Sequence, residues 1–212
     1  RIHAWHKARG LKWGGVPFYV VPAALNLQED AWRVVDAAQA VGVVPAMVIV
    51  DTLSQTYAGE ENSANEMAAY LRELATRFRD MWQCSVVLVH HTGHQATERP
   101  RGSSAIRSNV DFLLGVFRDE KEMLATVTSV KQKDGELMSD AVFSLTVVDV
   151  AVDDDGDKIT SLVARYLSND DEIACARAAE QAAGRGGRGA ALMKLVVNGM
   201  DERQLRKEFY AL

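Results

Sequence analysis

Two stretches of the chain are apolar without interruption and then turn polar at once. Met47-Val48-Ile49-Val50 runs into Asp51-Thr52, and Val86-Val87-Leu88-Val89 runs into His90-His91-Thr92-Gly93. A continuous apolar run of this length predicts a strand covered on both faces, as in a parallel sheet. Between the two, Met67, Tyr70, Leu71, Leu74, Phe78 and Met81 recur at steps of three and four. That spacing predicts an amphipathic helix, and Ser63-Ala64-Asn65-Glu66 opens it in the form of a capping box. A second helix is predicted from an Asp30 N-cap to Val41, with Val34, Val35, Ala38 and Val41 on one face and Gly42 as its stop.

Residues 1–14 resemble the end of a basic amphipathic helix, and Phe18-Tyr19-Val20-Val21 a short strand. Segments 55–62 and 92–104 are polar and read as loops. Four strands are then predicted over Asp111 to Phe117, Leu124 to Val130, Val142 to Val148 and Ile159 to Tyr166, with Asp134-Gly135 and Asp155-Gly156 as turns. Residues 172–183 are Ala-rich and helical, and 184–189 form a Gly/Arg linker. A short helix ending at Asn198-Gly199 and another from Asp201 to Tyr210 match part of a helix-turn-helix or winged helix. The expectation is an α/β fold: a three-layer domain over residues 1–168 whose sheet is extended by antiparallel hairpins, then a helical segment over 169–212.

Composition narrows this little. A 48% hydrophobic and 25% charged chain of 212 residues is an ordinary globular protein. The formal net charge of −5 argues against a uniformly basic nucleic-acid coat and leaves room for a local basic patch. Cys84 and Cys175 have no paired spacing, which fits a reducing compartment, and a cytoplasmic location is expected. No apolar stretch has the length of a membrane span. The chain begins Arg1-Ile2-His3 without a methionine and reads as a fragment of a longer protein.

The candidate chemistry sits at the strand ends, because open parallel sheets bind ligands beyond the carboxyl ends of their strands. Asp51 there suits a water ligand of Mg²⁺ beside a nucleoside triphosphate, and equally a helix cap or loop acid. A neutral imidazole at His90 or His91 suits a γ-phosphate contact; one buried and one solvated histidine fits as well. Asp51, His90, His91 and His94 are also zinc or iron ligand types, without the one-turn helical spacing of many metalloenzymes. Arg99-Pro100-Arg101-Gly102-Ser103-Ser104 suits phosphate contacts or a solvated loop, and Arg107 follows on a short helix. Lys131 and Lys133 share one side of a strand, able to reach a neighbour's anion or to guard a sheet edge.

MVIVDTLSQ, GEENSA, VVLVHHTG, RGSSAI and VKQKDGE occur in that order. Over about residues 1–167 they resemble the RecA-like ATPase domain of hexameric replicative helicases of the plasmid RepA type, and related phage ATPases. The resemblance implies a RecA-like domain with a mostly parallel central sheet, and ATP and Mg²⁺ as cofactors. It implies Asp51 as the Walker B acid acting on Mg²⁺ through water, with Thr52 and His91 at the nucleotide and His91, beside His90, as γ-phosphate sensor. It implies a hexameric ring of identical subunits whose loops 55–62 and 93–103 face single-stranded DNA, with Arg99, Arg101, Ser103 and Ser104 as contacts. Lys131 and Lys133 are then the cations offered to the next subunit's nucleotide. Asp111 stands where the family has its arginine finger, which leaves Arg107 as a nearby candidate. One departure is plain: no Gly-x-x-x-x-Gly-Lys-Ser/Thr phosphate loop occurs in the chain. The parent is expected to be a P-loop NTPase and DNA helicase, and this fragment alone to be inactive. The alternatives are a non-catalytic RecA-like DNA-binding or assembly module and a metal-dependent hydrolase.

Overall fold

The computed structural model describes residues 1–12, 14, 16–91, 104–119, 121–182 and 192–198. Its helices are α1 Ile2–Ala8, α2 Ala31–Ala40, α3 Leu53–Thr56, α4 Ala64–Leu74, α5 Ala105–Asn109 and α6 Asp170–Ala182. Its strands are β1 Met47–Asp51, β2 Ser85–His91, β3 Phe112–Asp119, β4 Leu124–Gln132, β5 Ala141–Val152, β6 Lys158–Leu167 and β7 Leu192–Asn198. The chain divides into two units. The first holds Arg1–Val21, Arg118–Thr126 and the chain from Ala141 through α6. The second holds Pro22–Phe117, Val127–Asp140 and β7.

In the second unit the strands run in the order β1-β2-β7-β3-β4. β1 and β2 are parallel, with Val50 opposite Leu88 and Asp51 opposite Val89. β7 is antiparallel to both β2 and β3, so β2 and β3 run the same way with β7 between them. The mostly parallel central sheet is therefore not formed. A parallel pair needs a crossover of a dozen or more residues. The link from β1 to β2, which carries α3 and α4, joins adjacent strands in this way. β7 also corrects the sequence expectation of a helix ending at Asn198. The Gly/Arg linker and the helix from Asp201 to Tyr210 lie outside the described residues.

All four helices of this unit share one apolar cluster. Val35 of α2, Leu53 of α3, Met67 and Leu74 of α4, and Ile106 of α5 meet Val50, Val86 and Leu88. The opposite face carries a small patch of Val87, Phe112 and Leu114 against Met47, Val127 and Met138. Among the described residues the helices of this unit gather in the first cluster, and a clear three-layer arrangement is not formed. β2 is buried from Ser85 to His90, as its apolar run predicts. β1 is not: it ends the strand order, and Ile49 on its uncovered face is 55% exposed.

The long helix keeps its predicted face only as far as Phe78. Met67, Tyr70 and Phe78 are fully buried, but Met81 is 51% exposed. A π-helical segment over Ala75–Asp80 continues α4. Its wider turn takes up an extra residue, so Trp82 comes round instead and stacks on Phe78 with ring centroids 5.7 Å apart. Two other expectations also change. Segment 55–62 is not all loop, since α3 extends to Thr56. Phe18–Val21 forms no strand, and all four side chains are exposed.

The first unit orders its strands β4-β5-β6, with β5 and β6 a long antiparallel hairpin. Its turn matches the Asp155-Gly156 signal. The Asp153 carboxylate accepts the amides of Asp155 and Asp157 at 3.1 and 2.8 Å, and Gly156 takes the positive φ of +89° that favours glycine. Asp134-Gly135 forms no tight hairpin, because residues 133–140 are an irregular connection. α1 packs on β5 and β6, and its Lys7 ammonium donates to the Asp149 carbonyl at 2.7 Å. α6 lies against the same two strands.

The π-helical rotation makes a measurable contrast. Trp82→Ala should lower the unfolding free energy by about 2 kcal/mol, less than a fully buried aromatic. Met81→Lys should change it by less than about 0.5 kcal/mol. Urea unfolding of the two variants checks both, and an unbroken α-helical face would give the reverse order.

Candidate functional site

Partners in a parallel register point to the same side of the sheet. Val50 and Leu88 face the helices, so Asp51 and its partner Val89 face away from them. One step further along β2, His90 returns to the helix side, and His91 joins the side of Asp51. Burial agrees: His90 is 3% exposed, whereas Asp51 and His91 are both exposed. With strands about 4.8 Å apart and a rise of about 3.3 Å per residue, the Cα atoms of Asp51 and His91 stand roughly 8 Å apart. That gap accommodates a hydrated cation or a phosphoryl oxygen between the two side chains. The structure thus groups Asp51 with His91 and turns His90 away. The Asp51–Thr52 peptide bond is cis.

One exposed carboxylate beside one imidazole is a sparse donor set. It suits Mg²⁺, which keeps most of its own waters, better than zinc, which takes three or four protein ligands. Among the described residues no group of three or more His, Cys, Asp or Glu is placed to hold a metal ion. His94 lies outside the described residues.

Behind Asp51 a chain of hydroxyls anchors the strand end. Thr52 is buried, with its hydroxyl 3.1 Å from that of Ser54. The Thr56 hydroxyl lies 2.9 Å from the Thr52 carbonyl and 2.8 Å from the Tyr70 hydroxyl. The Tyr70 ring packs on that of Tyr57 with centroids 5.0 Å apart. Tyr57 in turn donates toward the Glu66 carboxylate at 3.3 Å, which also accepts the Glu60 amide at 3.1 Å. The capping box is therefore half formed: Ser63 accepts the Glu66 amide at 3.4 Å, while the Glu66 side chain holds the loop instead of returning to Ser63. Gly59 fits under this cluster because a Cβ there would overlap the Tyr57 hydroxyl. The apolar periodicity counted Tyr70 only as core. A tyrosine on a buried stripe must find a partner for its hydroxyl, and that requirement was the available signal for the network.

The basic candidates gather elsewhere. The Lys131 ammonium donates to the carbonyls of Arg107 and Val110 at 2.8 and 2.7 Å, satisfying acceptors left open at the end of α5. Lys133 reaches Asp111 at 3.4 Å in an exposed pair, worth little energetically. The two lysines do share a side, over the segment that carries exposed Arg107. Through β7, Phe112 lies level with Val87, and Val116 with His91. The lysines, which contact Val110 and Asp111, therefore stand near the amino end of β2, five to six residues or about 16–20 Å along the strand from the level of His91. They do not meet Asp51 and His91 in one site. Exposed Ser104 precedes α5 and accepts the Ser108 amide at 3.2 Å through its carbonyl. Arg99, Arg101 and Ser103 lie outside the described residues.

A family model described as an AAA domain matches residues 1–97, a little under half of the chain. The matched part contains β1, α4 and β2, and with them both strand ends. It supports an ATPase domain of the AAA or P-loop-like kind. No curated protein and no solved structure matches the chain. Among the described residues no helix is long and apolar enough to cross a membrane.

Burial pushes the Tyr70 hydroxyl up to about 12 from an ordinary 10.0. Its contribution to stability is fully present below pH 10. As pH rises towards 12, the unfolded chain ionises this tyrosine and the folded chain does not, so stability should fall by roughly 2–3 kcal/mol. Tyr70→Phe should remove that fall, at a cost of about 1 kcal/mol at neutral pH. Urea unfolding as a function of pH checks both.

Proposed function

We propose that the chain carries the cation-holding and phosphate-sensing side of an ATP site, in a ring-forming motor that works on single-stranded DNA. Asp51 and His91 on one exposed face at the carboxyl edge of β1 and β2 carry this proposal. Asp51 would hold Mg²⁺ through one of its waters, and the cation would offset the charge of the phosphates. The His91 imidazole N–H donates toward the γ-phosphate. The Thr56 hydroxyl, itself bonded to that of Tyr70, holds the carbonyl next to Asp51, so the acid stays where β1 delivers it. The separation of Lys131 and Lys133 from this edge supports their use in trans, toward the nucleotide of a neighbouring subunit.

A second reading is a non-catalytic RecA-like module that binds DNA or guides assembly. Both are testable on this chain. Its ATP turnover should not exceed the buffer control. In a Mg²⁺-ATP titration followed by NMR, the His91 imidazole signals should move while those of His90 stay. Asp51→Asn should remove the magnesium dependence of that shift. No shift at His91, or a shift at His90 alone, would sink the proposal.

Binding to single-stranded DNA should weaken as salt rises. Arg99→Ala and Arg101→Ala should each reduce the salt slope by about 1. Unchanged affinity in both variants would remove segment 93–103 as a DNA contact.

A further inference from the structure

Among the described residues no side-chain hydrogen bond or ion pair holds the Asp51 carboxylate, so its placement is inherited from the backbone on either side. Before it, β1 is fixed by its register with β2. After it, the Thr52 carbonyl accepts the Gln55 amide at 3.1 Å and the Thr56 hydroxyl at 2.9 Å. A threonine hydroxyl has one hydrogen to give. With that hydrogen on the carbonyl, the Thr56 oxygen accepts from the Tyr70 hydroxyl 2.8 Å away. The proton order therefore runs from Tyr70 through Thr56 to the Thr52 carbonyl, and each bond in such a chain polarises the next. Tyr70 and Thr52 are both buried, which limits competition from water. The chain also continues outward. The Tyr70 ring packs on that of Tyr57, whose hydroxyl stands 3.3 Å from both the Glu60 carbonyl and the Glu66 carboxylate. Glu66 accepts the Glu60 amide at 3.1 Å, and the Glu60 carboxylate accepts the Asn62 amide at 3.2 Å. The exposed turn over residues 58–62 is thus closed onto a buried pair of tyrosines, whose other end anchors the carbonyl behind Asp51.

We infer that Thr56, Tyr70 and Tyr57 are positioning residues for a cation at Asp51, and that the turn over residues 58–62 tightens when that cation is held; this rests on the ATP-site proposal. Close-packed side chains transmit a displacement rather than absorb it. A shift of the Thr52 carbonyl is therefore felt at Tyr70, then at Tyr57, then at the Glu66 and Glu60 bonds that close the turn. Coupling of this kind is reciprocal. If closure of the turn raises the affinity of Asp51 for the cation, the cation stabilises closure by the same factor. The Gln55 amide holds the Thr52 carbonyl even without Thr56, so the factor should be about fivefold, at the low end for coupled sites.

Two NMR readouts on the full chain test both directions. One is the Mg²⁺ midpoint of the His91 shift at fixed ATP, and the other is hydrogen exchange at the Glu60 amide. In the wild type, saturating Mg²⁺-ATP should slow Glu60 exchange by about fivefold. Thr56→Val keeps the shape of the side chain and removes its hydroxyl. It should raise the Mg²⁺ midpoint by about fivefold and abolish the slowing. Thr56→Ser restores the hydroxyl and should return both readouts to wild type. Tyr57→Phe releases only the outer end and should also raise the midpoint. Val35→Ala opens the same apolar cluster away from this chain of groups, and should lower stability with the midpoint unchanged. A midpoint raised equally by Val35→Ala, or a Thr56→Ser that behaves like Thr56→Val, would mean general loosening and overturn the inference. Wild-type midpoints in Thr56→Val and Tyr57→Phe, or a Glu60 amide indifferent to Mg²⁺-ATP while His91 responds, would overturn it alone and leave the ATP-site proposal standing. No His91 response in the wild type would sink both.

Discussion

Asp51 stands opposite Val89 across the parallel pair of β1 and β2, and this register assigns a face to every side chain at the carboxyl edge. A slip of one residue would send Asp51 into the helix cluster and His90 out to solvent. The register is held because Val50, Val86 and Leu88 are buried against four helices at once. Exposing that set would cost far more than any polar contact at the edge could return. The candidate site is thus a consequence of core packing one residue away from it.

The segment that follows β1 serves the same end. α3 and α4 form the crossover that makes β1 and β2 parallel, and their side chains also tie down the strand end. The Thr56 hydroxyl, itself bonded to that of Tyr70, reaches the Thr52 carbonyl from behind, while Tyr57 and Glu66 hold the loop after α3. A rigid scaffold therefore presents an exposed carboxylate and an exposed imidazole, the arrangement that favours precise placement of a ligand. The basic residues near α5 are organised separately. Their carbonyl and carboxylate partners hold them near the other end of the sheet. The AAA-domain match over residues 1–97 supports an ATPase-type domain and contains the Asp51 and His91 edge but not the lysines.

Much of the secondary structure was legible because local patterns were strong. The four strands after residue 110, the hairpin at Gly156, the Ser63 cap and the apolar stripe of α4 all follow from periodicity and turn chemistry. The misjudged elements depended on partners that a local pattern does not reveal. Phe18–Val21 has strand composition, but a strand exists only when another backbone pairs with it. Leu192–Asn198 has an apolar run that fits either state, and the open place between β2 and β3 makes it a strand. Met81 obeys the α-helical period, yet the π-helical segment before it turns that period out of phase. The apolar runs at β1 and β2 look alike, yet β1 ends the strand order and is partly exposed, whereas β2 lies between two strands and is buried.

The sequence by itself determined which residues are the candidates for chemistry: an acid and a histidine pair placed directly after strand-forming runs, and lysines two apart on a third strand. It did so because residue type and strand alternation are local properties. The tertiary structure alone decided that His91 shares a face with Asp51 and that His90 does not. It also decided that the lysines stand away from both, and that β1 ends the strand order among the described residues. Those are matters of register, strand order and burial, which arise only when segments distant in the chain compete for the same core.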